Sequence, residues 1–199
     1  MSSIDTLALF NYQDDDAFDM HFSPRVKKLS KVHWSPLPVV QKAAAFLAPH
    51  PGCRIIDIGS GVGKFCIAAA HHYPESEFHG VEQRESLHLT AERSKALSGL
   101  ENVHFMHGDF TQLSLNTYTG IYFFNSFAEN LYSFGRIDNT IQHSVSLYNY
   151  YANYLYKILE EKSSGTKLAT YHVDENDIPI CYELVASDFQ DNLKLWIRR

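Results

Sequence analysis

The run Arg54-Ile-Ile-Asp-Ile-Gly-Ser-Gly-Val-Gly-Lys64 constrains this chain more than any other stretch. Ile55, Ile56 and Ile58 form an apolar strand interrupted by a single carboxylate, Asp57. Glycines then stand at alternate positions, 59, 61 and 63, and apolar residues resume from Phe65 at helical spacing. Such a strand, turn and helix N-terminus make a nucleotide cradle, because the backbone can approach a ligand and the first-turn N–H groups face it. The question for the rest of the sequence is which nucleotide-like ligand it is built for.

The flanking pattern repeats the strand–helix alternation. A helix is expected from about Leu37 to Leu47, stopped by Pro51-Gly52 before a first strand at Cys53 to Ile58. A helix at about Lys64 to His72 and a second strand at Glu77 to Glu82 follow. Then come a helix at Ser86 to Leu97 and a third strand at Asn102 to Met106. Gly120 to Asn125 is an apolar run suited to a strand covered on both faces. Positions 141, 145, 148, 152, 155 and 159 predict a long helix from Asp138 to Glu161, and Lys167 to His172 a fifth strand. Cys181 to Val185 and Leu193 to Ile197 are too close in sequence to pair other than antiparallel. The expected fold is α/β and Rossmann-like: a mostly parallel seven-stranded sheet, an antiparallel C-terminal hairpin, and helices on both faces.

At 199 residues this reads as one domain, 37–199, preceded by an N-terminal arm or lid, 1–36. Residues 1–22 are acidic and aperiodic and read as a loosely ordered arm with Phe10, Tyr12, Phe18 and Phe22 as isolated anchors. The basic run Arg25, Lys27, Lys28, Lys31 reads as a solvated helical face with Val26 and Leu29 turned inward, or else as a surface that meets an acidic substrate or partner. A formal net charge of −6 argues against a nucleic-acid partner held by its phosphates. Cys53, Cys66 and Cys181 are widely spaced and odd in number, as in a reduced, cytoplasmic protein. No apolar run approaches the roughly 18 residues of a membrane helix, and no signal peptide is visible. Eleven histidines include no metal-ligand spacing, so no metal is expected.

Three glycine-loop patterns compete for the cradle. A phosphate-gripping loop needs Gly-Lys-Ser/Thr, and here Phe65 follows Lys64. A dinucleotide fingerprint needs its third glycine one position later than Gly63. Asp-x-Gly-x-Gly-x-Gly fits throughout. From Asp57 to Gly63, with Glu82 ending the second strand, Asp109 after the third and Asn125 ending the fourth, the sequence resembles the class I S-adenosylmethionine-dependent methyltransferases. The resemblance covers roughly Trp34 to Asn130 and the terminal hairpin. It implies that Glu82 binds the ribose hydroxyls and Asp109 the adenine amino group, with Phe110 as an apolar wall. Asp57 would orient the loop or meet the cofactor's ammonium, or else cap the turn amides. The implied cofactor-binding set is Trp34, Asp57, Gly59, Ser60, Gly61, Gly63, Glu82, Gln83, Asp109, Phe110 and Asn125, and the product would be S-adenosylhomocysteine.

Asn125 opens the run Asn-Ser-Phe-Ala-Glu-Asn. The implied catalytic residues are Asn125, whose amide oxygen can accept an N–H of the acceptor, and Phe127. Amine-directed relatives often carry Asn-Pro-Pro-Tyr there, so Ser126 and Phe127 depart from that pattern. The run is also similar to the lysine methyltransferases of the disruptor-of-telomeric-silencing class. The expectation is in-line methyl transfer to an unidentified acceptor, a nitrogen of a protein lysine or small molecule being favoured. Glu129 and Asn130 either line the acceptor pocket or start the next turn, His33 and Trp34 either form a lid or pack under the arm, and outward tyrosines of 148–156 offer either a homodimer contact or an acceptor pocket. A nicotinamide-dependent oxidoreductase and a non-catalytic cofactor-binding module stay open as alternatives.

Overall fold

In the computed structural model, which describes residues 10–131 and 136–199, seven strands form one sheet. They are β1 (Arg54–Ile58), β2 (Glu77–Glu82), β3 (Val103–His107), β4 (Gly120–Phe123), β5 (Lys167–Tyr171), β6 (Tyr182–Asp188) and β7 (Leu193–Arg198). The order is β3-β2-β1-β4-β5-β7-β6. The first five run parallel, while β7 pairs antiparallel with β5 and with β6. The expected α/β fold class is therefore observed. Strand order reverses between β1 and β4, so the crevice beyond their carboxyl ends is where a sheet of this kind holds a ligand.

Six helices are described: α1 (Asp15–Asp19), α2 (Pro24–His33), α3 (Leu37–Leu47), α4 (Lys64–His72), α5 (Glu85–Ser98) and α6 (Val145–Glu161). Alternation along β1 sends Ile55 to one face and Ile56 and Ile58 to the other. Ile55 packs in a cluster with Leu47 of α3, Ile67 of α4 and Leu87 of α5. Ile56 and Ile58 share theirs with Leu155 and Leu159 of α6. Burying both faces explains why this strand has no outward polar alternation.

Two expectations are corrected. The long helix begins at Val145 and not at Asp138. Ser144 is its N-cap, in extended conformation with Oγ accepting the Leu147 N–H at 3.1 Å. Upstream, Asp138 accepts the N–H and the hydroxyl of Thr140, a local turn that competes with helix. The second concerns the described part of the acidic arm, which is packed and not loose. Phe10, Tyr12, Phe18 and Phe22 are all buried in the main core, and α1 is capped by Asp14, which accepts the Ala17 N–H at 2.8 Å. Residues 1–9 lie outside the described residues. The basic run matches its solvated reading: α2 buries Val26, while Arg25, Lys27, Lys28 and Lys31 are exposed.

Candidate active site

A cavity of about 610 Å³ opens at the β1/β4 reversal. The strand ends supply its floor with Asp57, Val81, Glu82, Tyr122 and Phe124. Its sides are the glycine turn, the segment after β3 (Gly108, Asp109, Phe110), the segment after β4 (Asn125 to Asn130), and Val32 to Ser35 at the end of α2. Tyr151 of α6 and His172, just past β5, complete it. Every residue of the expected cofactor set lines this cavity except Gly63. At Gly63, φ is +79°, and a Cβ would stand 2.3 Å from Phe105 Cζ and 3.1 Å from Ala91 Cβ. Its place in the motif serves packing of α4 against α5 and β3.

Glu82 holds the turn in shape. Its Oε2 accepts the Gly61 N–H at 3.0 Å and its Oε1 the Arg84 N–H at 2.7 Å. A carboxylate has about four lone-pair positions, so acceptor capacity remains for vicinal hydroxyls. Burial raises the Glu82 pKa, against the backbone N–H and guanidinium of Arg84 and the Gly61 N–H, which favour the ionised form. Asp57 is 4% exposed, and burial first, then the Glu82 charge, push its pKa well up. The Gly59 and Ser60 amides donate to the Val81 carbonyl, at 2.9 and 3.0 Å. Turn capping is therefore done by Glu82 and Val81, which leaves Asp57 as a carboxylate on the cavity floor, 4.0 Å from the Cys66 thiol.

The far side is aromatic and polar together. Phe110 stacks on Phe127 at 5.3 Å, and Tyr151 lies against both. The Tyr151 hydroxyl donates to Asp109 at 3.2 Å and accepts from the Gln83 amide at 3.2 Å. Asp109 also caps the short helical turn Phe110–Gln112 by accepting the Thr111 N–H. This gives an apolar slot beside a carboxylate, which suits a flat heterocycle with an amino group.

At the other end, Asn125 sits just past β4 in a left-handed conformation, φ 36°, with its carbonyl accepting the Ala128 N–H. Ser126 Oγ donates to the Ile58 carbonyl and ties this segment to β1. Glu129 and Asn130 form a short helical turn and also line the cavity. Glu129 is bonded by the Arg84 guanidinium, which reaches Asp138 as well. His33 and His143 stand 3.6 Å from the Glu129 carboxylate. His172, at φ 56°, is packed by Tyr171 and Phe124. Burial lowers its imidazole pKa, so it is neutral at physiological pH.

Trp34 is packed, as one of its two expected readings has it, and it lines the cavity. It is buried, its Nε1 donating to the Val26 carbonyl at 3.3 Å, and its ring also faces the cavity. A Cβ on Gly61, at φ +54°, would stand 2.4 Å from that ring. Lys64 lines the cavity but is not free to grip a phosphate. Its ammonium is 3% exposed and paired with Asp15 at 2.7 Å and Asp19 at 2.8 Å. The donor set thus fits a phosphate-free, cationic ligand: two floor carboxylates, a third beside the aromatic slot, and the nearest lysine neutralised. Among the described residues no cluster has metal-ligand composition, and no helix is long and apolar enough to cross a membrane.

Arg84, His172 and the Asp15–Asp19 pair carry no signal in the sequence, and Tyr151 is singled out there only as one of the tyrosines of 148–156. Tyr151 is one of several tyrosines on α6, and nothing local distinguishes it. Only the fold brings α6 across the sheet to Asp109.

A family model described as a methyltransferase domain matches residues 49–178, well over half of the chain. The chain belongs to this family, and its sheet is of the class I S-adenosylmethionine-dependent methyltransferase type. It is 37% identical over 73 residues to a 23S rRNA (uracil(1939)-C(5))-methyltransferase, RlmD, of Shewanella sp., covering 37% of this chain and 16% of that protein. It is 31% identical over 72 residues to the release factor glutamine methyltransferase of Escherichia coli, covering 36% and 26%. The matches thus span well under half the length of these curated relatives. An RNA methyltransferase of Salinibacter ruber, solved with S-adenosyl-L-homocysteine, superposes with TM-score 0.59 at 19% identity, over 82% of this chain and 92% of that one. The expectation against nucleic acid, drawn from net charge, finds no support in these names.

Proposed function

We propose that the chain is an enzyme that moves a methyl group from S-adenosylmethionine to a nitrogen acceptor, of a protein lysine or a small molecule. Bound in the cavity, the cofactor would supply an electrophilic methyl group on a sulfonium. Glu82 and Asp109 would hold its ribose and adenine ends, and Asp57 would meet its ammonium. The Phe110–Phe127–Tyr151 cluster keeps water from one side of the slot, which strengthens every polar contact inside it.

The observation that carries the acceptor reading is Asn125. Its backbone is held in the left-handed region, which asparagine enters more readily than most residues, and this sets the segment after β4. Its side chain, on the cavity wall, offers an amide oxygen to an acceptor N–H and so can aim the nitrogen lone pair. His172, neutral and at the same end, is placed to take up a proton.

RNA is the second reading. Two of the named relatives are RNA methyltransferases, and α2, whose C-terminal end Val32 and His33 line the cavity, carries four exposed cations. Tritium-labelled S-adenosylmethionine offered to separated protein, RNA and small-molecule fractions tests the two. The nitrogen reading expects label in protein or metabolites, acid-stable, and lost in Asn125→Ala although that variant still binds S-adenosylhomocysteine. Label confined to RNA carbon would overturn it.

A further inference from the structure

The segment before the glycine turn is bound to the site by charges that the methyl-transfer reading does not use. Lys64 is the first residue of α4, directly after the turn, and its ammonium is buried. It bonds both Asp15 and Asp19 of α1, and stands 5.3 Å from the centre of the Phe18 ring. The same two carboxylates reach further. Asp19 accepts the Ser30 hydroxyl of α2, and Asp15 accepts the Leu37 N–H of α3 at 3.0 Å. Three helices and the cofactor loop therefore converge on one ion cluster.

What lies between Ser30 and Leu37 is the cavity wall: Val32, His33, Trp34 and Ser35. Trp34 fills the space that a Gly61 side chain would need. Ser35 and the buried hydroxyl of Tyr122 on β4 share a hydrogen bond of 2.6 Å. The wall is thus pinned at both ends by α1 carboxylates, at Ser30 and at Leu37. Burying a charge cluster is costly, and replacing one with neutral groups is often harmless to the fold itself. That makes the retained charges worth a functional account.

We infer that Lys64, Asp15 and Asp19 are positioning residues for the cofactor: a clasp that presses Trp34 against the glycine turn and so sets affinity for the methyl donor. This rests on the methyl-donor reading of the cavity. In it, the lysine that follows the glycine turn is buried against α1 and holds a wall for a phosphate-free ligand. The wall belongs to residues 10–36, before the stretch matched by the family model.

The test is isothermal calorimetry with S-adenosylhomocysteine on the whole chain. Changing Lys64 alone strands two carboxylates, so the informative variant is the neutral triple Lys64→Met, Asp15→Asn, Asp19→Asn, with its melting temperature recorded alongside. The clasp predicts a melting temperature near that of the parent and a Kd raised about tenfold, with Trp34→Ala giving a similar loss. Combining the two should add less than about twofold to either, because both act through the same wall. A triple variant that binds within about twofold of the parent, or losses that simply multiply, overturns the clasp while leaving the methyl-donor reading intact. A parent chain that does not bind S-adenosylhomocysteine sinks both. Should the triple variant melt early, Trp34→Ala combined with Asp15→Asn alone supplies the same cycle.

Discussion

Glu82 Oε2 accepts the Gly61 N–H at 3.0 Å, so the residue at the end of β2 shapes the turn at the end of β1. The second oxygen takes the Arg84 N–H, and the carboxylate bridges the two halves of the cradle before any ligand arrives. Glutamine has one acceptor oxygen and one donor nitrogen. In Glu82→Gln the amide would therefore face one of those backbone donors with N–H, leaving it unsatisfied at a cost of about 1–3 kcal/mol. Calorimetry should show S-adenosylhomocysteine affinity reduced about tenfold or more. Affinity within about twofold of the parent would remove Glu82 from the cofactor site.

Asp57 carries a stability signature with a definite sign. Its folded pKa lies well above its ordinary value, through burial and then the charge of Glu82. The folded state therefore holds its proton where the unfolded chain has lost it. Stability is highest below the unfolded pKa, near 4, and is lost as pH rises toward the folded value. Asp57→Asn removes that loss. Its melting temperature should exceed the parent's at pH 7–8, with the gain shrinking toward pH 4, while S-adenosylhomocysteine binds more weakly. A gain that grows on acidification would contradict the assignment.

Gly63 is expected to matter for folding and not for ligand contact. In Gly63→Ala, the left-handed backbone costs about 1–2 kcal/mol, and the new methyl group must displace the Phe105 ring. Urea unfolding should report that loss or more. A variant of parental stability would return Gly63 to the cofactor set.

Much of this was legible because the informative signals are local. The apolar run of β1, the alternate glycines and the carboxylates ending β2 and following β3 each occupy a few adjacent residues, and their alternation with helices makes the sheet mostly parallel. What was not legible is long-range. The role of Lys64 is not readable from the motif, because its partners, Asp15 and Asp19, lie more than forty positions upstream in a stretch with no helical period. The start of α6 was misplaced because Ile141 keeps the helical spacing, although it faces the cavity and not the sheet. Gly63 matches the cofactor motif as well as Gly61 does. Only the positions of Phe105 and Ala91 show that its missing side chain makes room for a helix.

The central claim is that the cradle binds a phosphate-free methyl donor. Thermal unfolding with S-adenosylmethionine, S-adenosylhomocysteine, NAD and NADP, each in excess, tests it directly. A ligand at about 100 times its Kd adds roughly 2.7 kcal/mol of stability, a shift of several degrees in a domain of this size. The site described here predicts that shift with the first two ligands, none with the nicotinamides, and its loss in Glu82→Ala. Stabilisation by NAD or NADP alone would contradict it.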